Sequence, residues 1–493
     1  SMELGTGCAL LLAAVLLAAV LGRPRGGSGR LPPGPRPLPF LGNLLQLCPM
    51  RSLQALEKLR ATYGPVFTVY FGRKPVVVLC GHAVVREALV EHAEAFGGRG
   101  QMPSLDRVFE SHGVVFANGE RWRQLRRFSL TVLRDFGMGK RSIEERIQEE
   151  AQFLLQELQQ KPFDPTYLLS QAVSNVICSI VFGNRFDYKD TEFREMMQVM
   201  NESFRELSST SLRWCMGFHD MSDGLFALLP GPHRRIERLL GRMRRFIARH
   251  VEQHRATLDP AAPRDFIDCF LLQMDKEKDK AGSEFNEKNL ELTTLNLFFA
   301  GTETVSSTLR YGFLLLMKHP EVQEKLQEEI GRVIGSERAP AVEDRARMPY
   351  TDAVIHEVQR VSDLLPMDVP HMVTRDTLFR GYLLPKGTEV YPLLSTVLHD
   401  PTMFARPDAF DPGNFLGADG SFRKNEAFVP FSSGKRICLG EALARMELFL
   451  FLTTVLQHFH LQPLVPPAQL NTAPRESGFG TVPPLYELRV LPR

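Results

Sequence analysis

Residues 289–319 contain no proline and are apolar on nearly every face around Leu295 to Ala300. As an α-helix this stretch would be roughly 46 Å long. A helix that is hydrophobic all round is buried in the middle of a protein. The chain must therefore be large enough to wrap it, and 493 residues are enough. Ala300-Gly301-Thr302-Glu303-Thr304 interrupts the apolar run with a glycine, an acid and hydroxyls. Such a break is either a packing notch or kink, or a locally opened helix where a ligand nears the backbone and protons move.

Helical periodicity recurs at 53–63, 143–159, 234–254, 320–334, 350–361 and 441–459. Short strand-like runs lie at 66–71, 75–79, 389–392 and 486–491. Length alone suggests three domains, yet no linker or internal repeat interrupts the chain after residue 50. The expectation is one mainly α domain with small β-sheets. With 59 Lys+Arg against 57 Asp+Glu the net charge is +2, which gives no support to a nucleic-acid partner. A 44% hydrophobic and 24% charged composition excludes a largely disordered chain.

Leu4 to Gly22 is uncharged and rich in Leu, Ala and Val. It would span roughly 28 Å as a helix, close to the bilayer core. Arg23, Arg25 and Arg30 follow it, and only Glu3 precedes it. The positive-inside rule then places the rest of the chain in the cytosol. A cleaved signal peptide is the competing reading, but the basic residues lie on the wrong side of the apolar segment. Residues 23–49 form a basic, proline-rich hinge. Its Leu31-Pro32-Pro33-Gly34-Pro35-Arg36-Pro37-Leu38-Pro39 run is expected to be a stiff, extended spacer. The seven cysteines are odd in number, scattered and without a C-x-x-C pair, which argues against a disulfide framework or structural zinc.

One cysteine has an unusual setting. Phe431-Ser432-Ser433-Gly434-Lys435-Arg436-Ile437-Cys438-Leu439-Gly440 precedes an apolar helix. A helix start and Arg436 both favour a thiolate at Cys438. Two glycines let the loop lie against something flat. Cys80, Cys178 and Cys269 read as buried structural thiols. For Cys438 a structural thiol or a nucleophile remain alternatives, although no thiol-hydrolase constellation accompanies it.

The F-x-x-G-x-R-x-C-x-G pattern at Phe431, Gly434, Arg436, Cys438 and Gly440 resembles the cytochrome P450 signature. A-G-x-[DE]-T is matched at Ala300, Gly301, Glu303 and Thr304, E-x-x-R at Glu357 and Arg360, and W-x-x-x-R at Trp122 and Arg126. The resemblance covers the chain after the anchor and is closest to the microsomal family-two enzymes of the A, B and F subfamilies. It implies a P450 fold over 50–493 with the anchor at 1–22, in the endoplasmic reticulum membrane and facing the cytosol. It implies haem b with Cys438 as axial iron ligand. Further implied haem contacts are Arg99, Trp122, Arg126, Ala300, His371, Phe431 and Arg436. Glu357 and Arg360 are implied as a structural pair. Where the family has a charged residue, Asn414 stands in Pro412-Gly413-Asn414-Phe415, which implies a weaker link to that pair.

The implied activity is monooxygenation of small to medium lipophilic molecules: xenobiotics, steroids or fatty acids. Thr304 and Glu303 would serve the oxygen chemistry and its protons. The implied pocket lining is Val115, Phe116, Phe204, Phe298, Phe299, Ala300, Leu365, Val369 and Phe479, with ordinary core an equal reading for Phe298. Asp368, where related enzymes often carry glycine or asparagine, either favours cationic substrates or faces solvent. The sequence has no dinucleotide fingerprint or flavin domain. NADPH electrons would therefore come through NADPH–cytochrome P450 reductase, with cytochrome b5 a second partner. Arg123, Arg127, Arg134, Lys140, Lys435 and Arg445 match the family's basic docking face. A P450-fold peroxide isomerase or dehydratase, or a non-catalytic haem protein, are the competing functions.

Overall fold

The computed structural model describes residues 31–39, 41–47, 52–137, 141–158, 161–209 and 230–493. The expected anchor and Lys140 lie outside these residues. Among the described residues, no helix is long and apolar enough to cross a membrane.

The longer helices are α1 (Ser52–Tyr63), α2 (Gly119–Asp135), α3 (Arg141–Glu157), α4 (Thr166–Val181), α5 (Thr191–Ser208), α6 (Pro232–Thr257), α7 (Phe266–Lys276), α8 (Glu287–Lys318), α9 (Pro320–Val333), α10 (Pro349–Ser362) and α11 (Glu441–His458). The architecture is mainly helical with small sheets, as expected. Local chemistry sets many of the starts. The Asn286, Asp190 and Asp265 side chains accept from backbone N–H groups three residues on, capping α8, α5 and α7. Proline occupies the first turn of α6, α9 and α10, where its missing N–H costs nothing.

Helix α8 runs through the main core, packed by α4, α6, α10 and α11. It stays helical through Gly301, so of the two readings of this break the packing notch is the one that the backbone shows. A Cβ at Gly301 would stand 2.9 Å from Ile177 Cγ1 on α4. The hydroxyls bond back along the helix without breaking it: Thr302 Oγ1 donates to Phe298 O at 2.8 Å and Thr304 Oγ1 to Ala300 O at 2.7 Å.

The largest sheet contains β1 (Val66–Phe71), β2 (Lys74–Cys80), β3 (Gly98–Arg99), β4 (His371–Met372) and β7 (Glu389–Leu393) in the order β1-β2-β7-β4-β3. β2 and β7 are parallel, and the remaining pairs are antiparallel. This register sets Arg99 directly opposite His371. Three two-stranded sheets complete the fold: β5 (Thr377–Phe379) with β6 (Tyr382–Leu384), β8 (Phe459–Pro463) with β11 (Leu488–Pro492), and β9 (Glu476–Ser477) with β10 (Thr481–Val482).

The proline-rich run is extended, but it is docked rather than a free spacer. Thr68 N–H donates to Pro33 O at 2.9 Å, and Asn43 N–H to Tyr70 O at 2.7 Å. Gly34 lies so close to Thr68 O that a Cβ would be 1.8 Å from it. The segment thus closes the free edge of β1.

Candidate cofactor and active site

Cys438 lies in the loop between Phe431 and the start of α11. Its N–H donates to Phe431 O at 3.0 Å, which tightens the loop. Protein surrounds the cysteine on most sides, yet its side chain is exposed, so it borders an internal opening. Burial pushes the thiol up; the Gly440 N–H and the Arg126 guanidinium work in the other direction, and Glu441 adds to the rise. The sequence expectation of a thiolate held by Arg436 therefore needs correction. Arg436 turns away and donates from Nε to Gly97 O at 2.9 Å and from Nη2 to Ala117 O at 2.8 Å.

Helix α8 borders an opening too. Ala300 is exposed and Phe299 and Thr304 are half-buried, in the middle of a helix otherwise enclosed. The next residue round, Glu303, is 1% exposed, and neither carboxyl oxygen has a hydrogen-bond partner. Burial pushes its carboxyl up to about 7, with Arg310 on the same helix opposing the rise.

Four basic side chains converge on the neighbouring backbone. Arg99 Nε donates to Val115 O at 2.9 Å, and Nη1 to Val369 O at 3.2 Å. Arg126 Nη2 donates to Ile437 O at 2.7 Å, in the cysteine loop itself. The Arg436 guanidinium carbon lies 4.2 Å from the Trp122 ring centroid. His371 Nδ1 faces Phe96 O at 2.8 Å. Burial lowers Arg99 to about 10 and Arg436 to about 8, and the other arginines nearby push the same way. Such crowding calls for anions. Two buried groups confirm the need: Arg436 Nη1 and His371 Nε2 have no hydrogen-bond partner.

Asn118, which the sequence reading overlooked, organises this cluster. Its Oδ1 accepts from Arg99 N–H at 2.7 Å and Arg436 Nη2 at 3.0 Å, while its Nδ2 donates to Arg99 O at 3.0 Å. The signal was an asparagine at the start of α2, where its side chain caps a neighbouring strand instead of its own helix. Orphaned buried donors, an accessible sulfur and an accessible stretch of α8 fit a flat dianionic macrocycle held through its metal. Cys438 would ligate the iron, and Arg99, Arg126, His371 and Arg436, with Trp122, would hold the carboxylates. The half-buried Phe431 belongs to the same loop.

The structural pair is fully buried. Arg360 donates to Glu357 Oε2 at 2.8 Å and Oε1 at 2.6 Å, and to the carbonyls of Leu398, Pro407, Arg406 and Ala409. The link that was in doubt at Asn414 is formed, without a charge: its Nδ2 donates to Glu357 Oε1 at 3.0 Å. An uncharged amide suffices because it is buried and its oxygen accepts from Arg406 N–H at 3.1 Å.

The lining residues differ in placement. Val115, Phe116, Phe299, Leu365, Val369 and Phe479 are half-buried. Phe204 is 2% exposed, with its ring against Gly480. Phe298 is fully buried among Phe182 and Phe246, at ring distances of 5.3 and 5.7 Å, a core position. Asp368 faces neither solvent nor an open pocket: it is buried and accepts from Ser432 Oγ at 2.6 Å. On α2, Arg123, Arg127 and Arg134 are exposed, as is Lys435. Arg123 pairs with Glu120 at 2.5 Å and Lys435 with Glu94 at 2.6 Å. Arg445 is half-buried, pairs with Glu441 at 2.8 Å and lies over Phe428 and Phe431, so it is less available to a partner than expected.

Fold and site together define a haem-thiolate protein. The cytochrome P450 family model matches residues 32–490. The chain is 60% identical to rabbit (Oryctolagus cuniculus) cytochrome P450 2G1 over 100% of both chains. It is 57% identical to rabbit cytochrome P450 2B4 over 98% of each. To goat (Capra hircus) cytochrome P450 2F3 it is 54% identical, again over 98% of each. The chain belongs to the cytochrome P450 family, and within it to the microsomal family-two enzymes. It is a haem-thiolate monooxygenase of the endoplasmic reticulum membrane, carrying haem b and drawing NADPH electrons through a redox partner. The B and F likenesses match the sequence expectation, and the G likeness adds to it.

Proposed function

We propose that this enzyme inserts one atom of O2 into small to medium lipophilic xenobiotics, with Cys438 as iron ligand and Thr304 and Glu303 as the proton-handling pair. One observation carries the reading: the accessible Cys438 sulfur borders an opening flanked by buried cations with unused donors. Bound haem would supply oxygen activation, and a thiolate ligand favours O–O cleavage. The protein's part is binding and proton control. Arg99, Arg126, His371 and Arg436 neutralise the carboxylates and fix orientation. The half-buried Thr304 hydroxyl, whose proton rests on Ala300 O, can turn and donate its hydrogen bond into the opening instead. Glu303, raised to about 7, can give up a proton near neutral pH and be recharged. Val115, Phe116, Phe299, Ala300, Leu365, Val369 and Phe479, with the ring of Phe204, would shape an apolar pocket, where binding follows buried area.

The chain is read as an anchor at 1–22, a connecting segment at 23–49 that is fastened to β1 at Pro33 and Asn43, and a haem domain at 50–493 that faces the cytosol. NADPH–cytochrome P450 reductase, and cytochrome b5 as a second donor, would meet the exposed Arg123, Arg127, Arg134 and Lys435, together with Lys140; salt would weaken that contact. The intact Glu303-Thr304 pair favours a monooxygenase over a peroxide isomerase or a haem carrier. The test is reconstitution of the full chain with reductase and an apolar substrate. Oxygenated product should form in step with NADPH consumed, and Thr304→Ala should divert electrons to peroxide. Unchanged coupling in Thr304→Ala would remove its assigned role, and no NADPH-dependent product from any lipophile would remove the substrate class.

A further inference from the structure

Asp368 is an expensive residue to keep. It is 6% exposed, and its φ of +56° lies in the left-handed region that favours glycine. Its partner in the cysteine loop, Ser432, has a φ of +63°. Two strained non-glycine residues thus hold each other by one hydrogen bond, Ser432 Oγ to Asp368 Oδ2 at 2.6 Å. Backbone strain of this kind costs on the order of 1–3 kcal/mol per residue and persists where the surroundings over-determine it.

The same carboxyl oxygen lies 3.5 Å from His371 Nε2. His371 Nδ1 faces the Phe96 carbonyl and must donate to it. The Nε2 edge of the ring therefore faces the Asp368 carboxyl, which fixes how the imidazole is turned. The other Asp368 oxygen accepts from Val369 N–H at 2.8 Å, and Arg99, opposite His371 on β3, adds an attractive charge. Burial pushes the Asp368 carboxyl up, but His371, Ser432 and Arg99 outweigh it and hold the group below its usual range.

We propose that Asp368 is a positioning residue of the cofactor site: it clamps the Cys438 loop through Ser432 and holds the His371 ring in its orientation toward a haem carboxylate. This rests on the haem-thiolate reading of the site. The clamp joins the segment before β4 to the loop that carries the iron ligand, so one side chain ties both ends of the site together.

The test uses the full-length holoenzyme. Asp368→Asn keeps an acceptor for Ser432 but loses the charge beside His371. Asp368→Gly suits the left-handed backbone, so it should fold without difficulty, and it removes both contacts. Ser432→Ala removes only the loop contact. Haem transfer to apomyoglobin should speed up roughly tenfold in Asp368→Asn and Asp368→Gly, the loss expected for a hydrogen bond to a charged group. Loss of the thiolate-type spectrum from the reduced carbon monoxide complex should quicken in Asp368→Gly and Ser432→Ala, but not in Asp368→Asn. If Asp368→Gly retains haem and thiolate ligation as well as wild type, the proposal is overturned. A wild-type enzyme that never shows the thiolate-type spectrum would instead overturn the haem-thiolate reading.

Discussion

Glu303 illustrates how one side chain can carry a charge cost that its neighbours do not relieve. Its folded value of about 7 lies above the 4.5 of an ordinary glutamate. For an acid raised in this way, full stability is present below the unfolded value and is lost as pH rises through the folded one. Each unit is worth about 1.4 kcal/mol, so ionising Glu303 costs about 3 kcal/mol between roughly pH 4.5 and 7. Glu303→Gln should therefore melt like wild type at acid pH and several degrees higher at pH about 8. Equal melting temperatures at both pH values would show that the burial cost is relieved. The sequence made this acid visible through its place in the Ala300–Thr304 motif, but not its setting. Whether a helical residue faces an opening or the core depends on which neighbours pack there. That Glu303 is enclosed while Ala300 and Thr304 remain accessible is a tertiary fact. The same limit applies to Asp368: the residue was conspicuous, but its φ and its partner Ser432, 64 positions away, were not readable.

At the scale of elements, the helices and strands expected from periodicity all formed, with ends moved by at most three residues. Long amphipathic or wholly apolar runs declare themselves. Two-residue strands such as β3 and β9 do not, because their pairing is set by distant chain. The contact between α5 and the β9–β10 hairpin belongs to this hidden class. A Cβ on Gly480 would stand 2.3 Å from Phe204 Cζ and 3.2 Å from Ser208 Oγ. Gly480 N–H also donates to Ser208 Oγ at 3.0 Å. Gly480→Ala must therefore displace the Phe204 ring, at a cost of about 1–3 kcal/mol. Spectral titration with apolar ligands should show dissociation constants altered several-fold, and by different factors for ligands of different size. Uniform, unchanged affinities would mean that Phe204 does not border the ligand.

For the whole molecule, the Glu357–Arg360 pair is the junction most exposed to damage. Arg360 satisfies four carbonyls from two stretches of chain, and Glu357 accepts from Asp411 N–H at 2.9 Å and from Asn414. Breaking a buried ion pair from one side costs about 3–5 kcal/mol. Glu357→Ala should accordingly yield little folded, haem-loaded protein. Asn414→Ala removes a hydrogen bond to a charged group, at about 1.5–3 kcal/mol, and two more to the Arg406 backbone, and should fold with a lower melting temperature. Haem content per chain and thermal melting read both, and a Glu357→Ala protein with full haem loading would contradict this ranking. The E-x-x-R spacing alone carried almost none of this, since a surface salt bridge has the same pattern. Its neighbours gave it meaning.

The docked proline segment sets the length of a leash. Because backbone hydrogen bonds fasten it to the edge of β1 from Pro33 onward, the stretch between the proposed anchor and the sheet is only residues 23–32. Ten residues pulled straight reach at most about 36 Å. On the anchored reading, that edge of the sheet can never drift farther than this from the lipid surface. A membrane-bound electron donor then searches for the enzyme in two dimensions, and a lipophilic substrate dissolved in the bilayer has little water to cross.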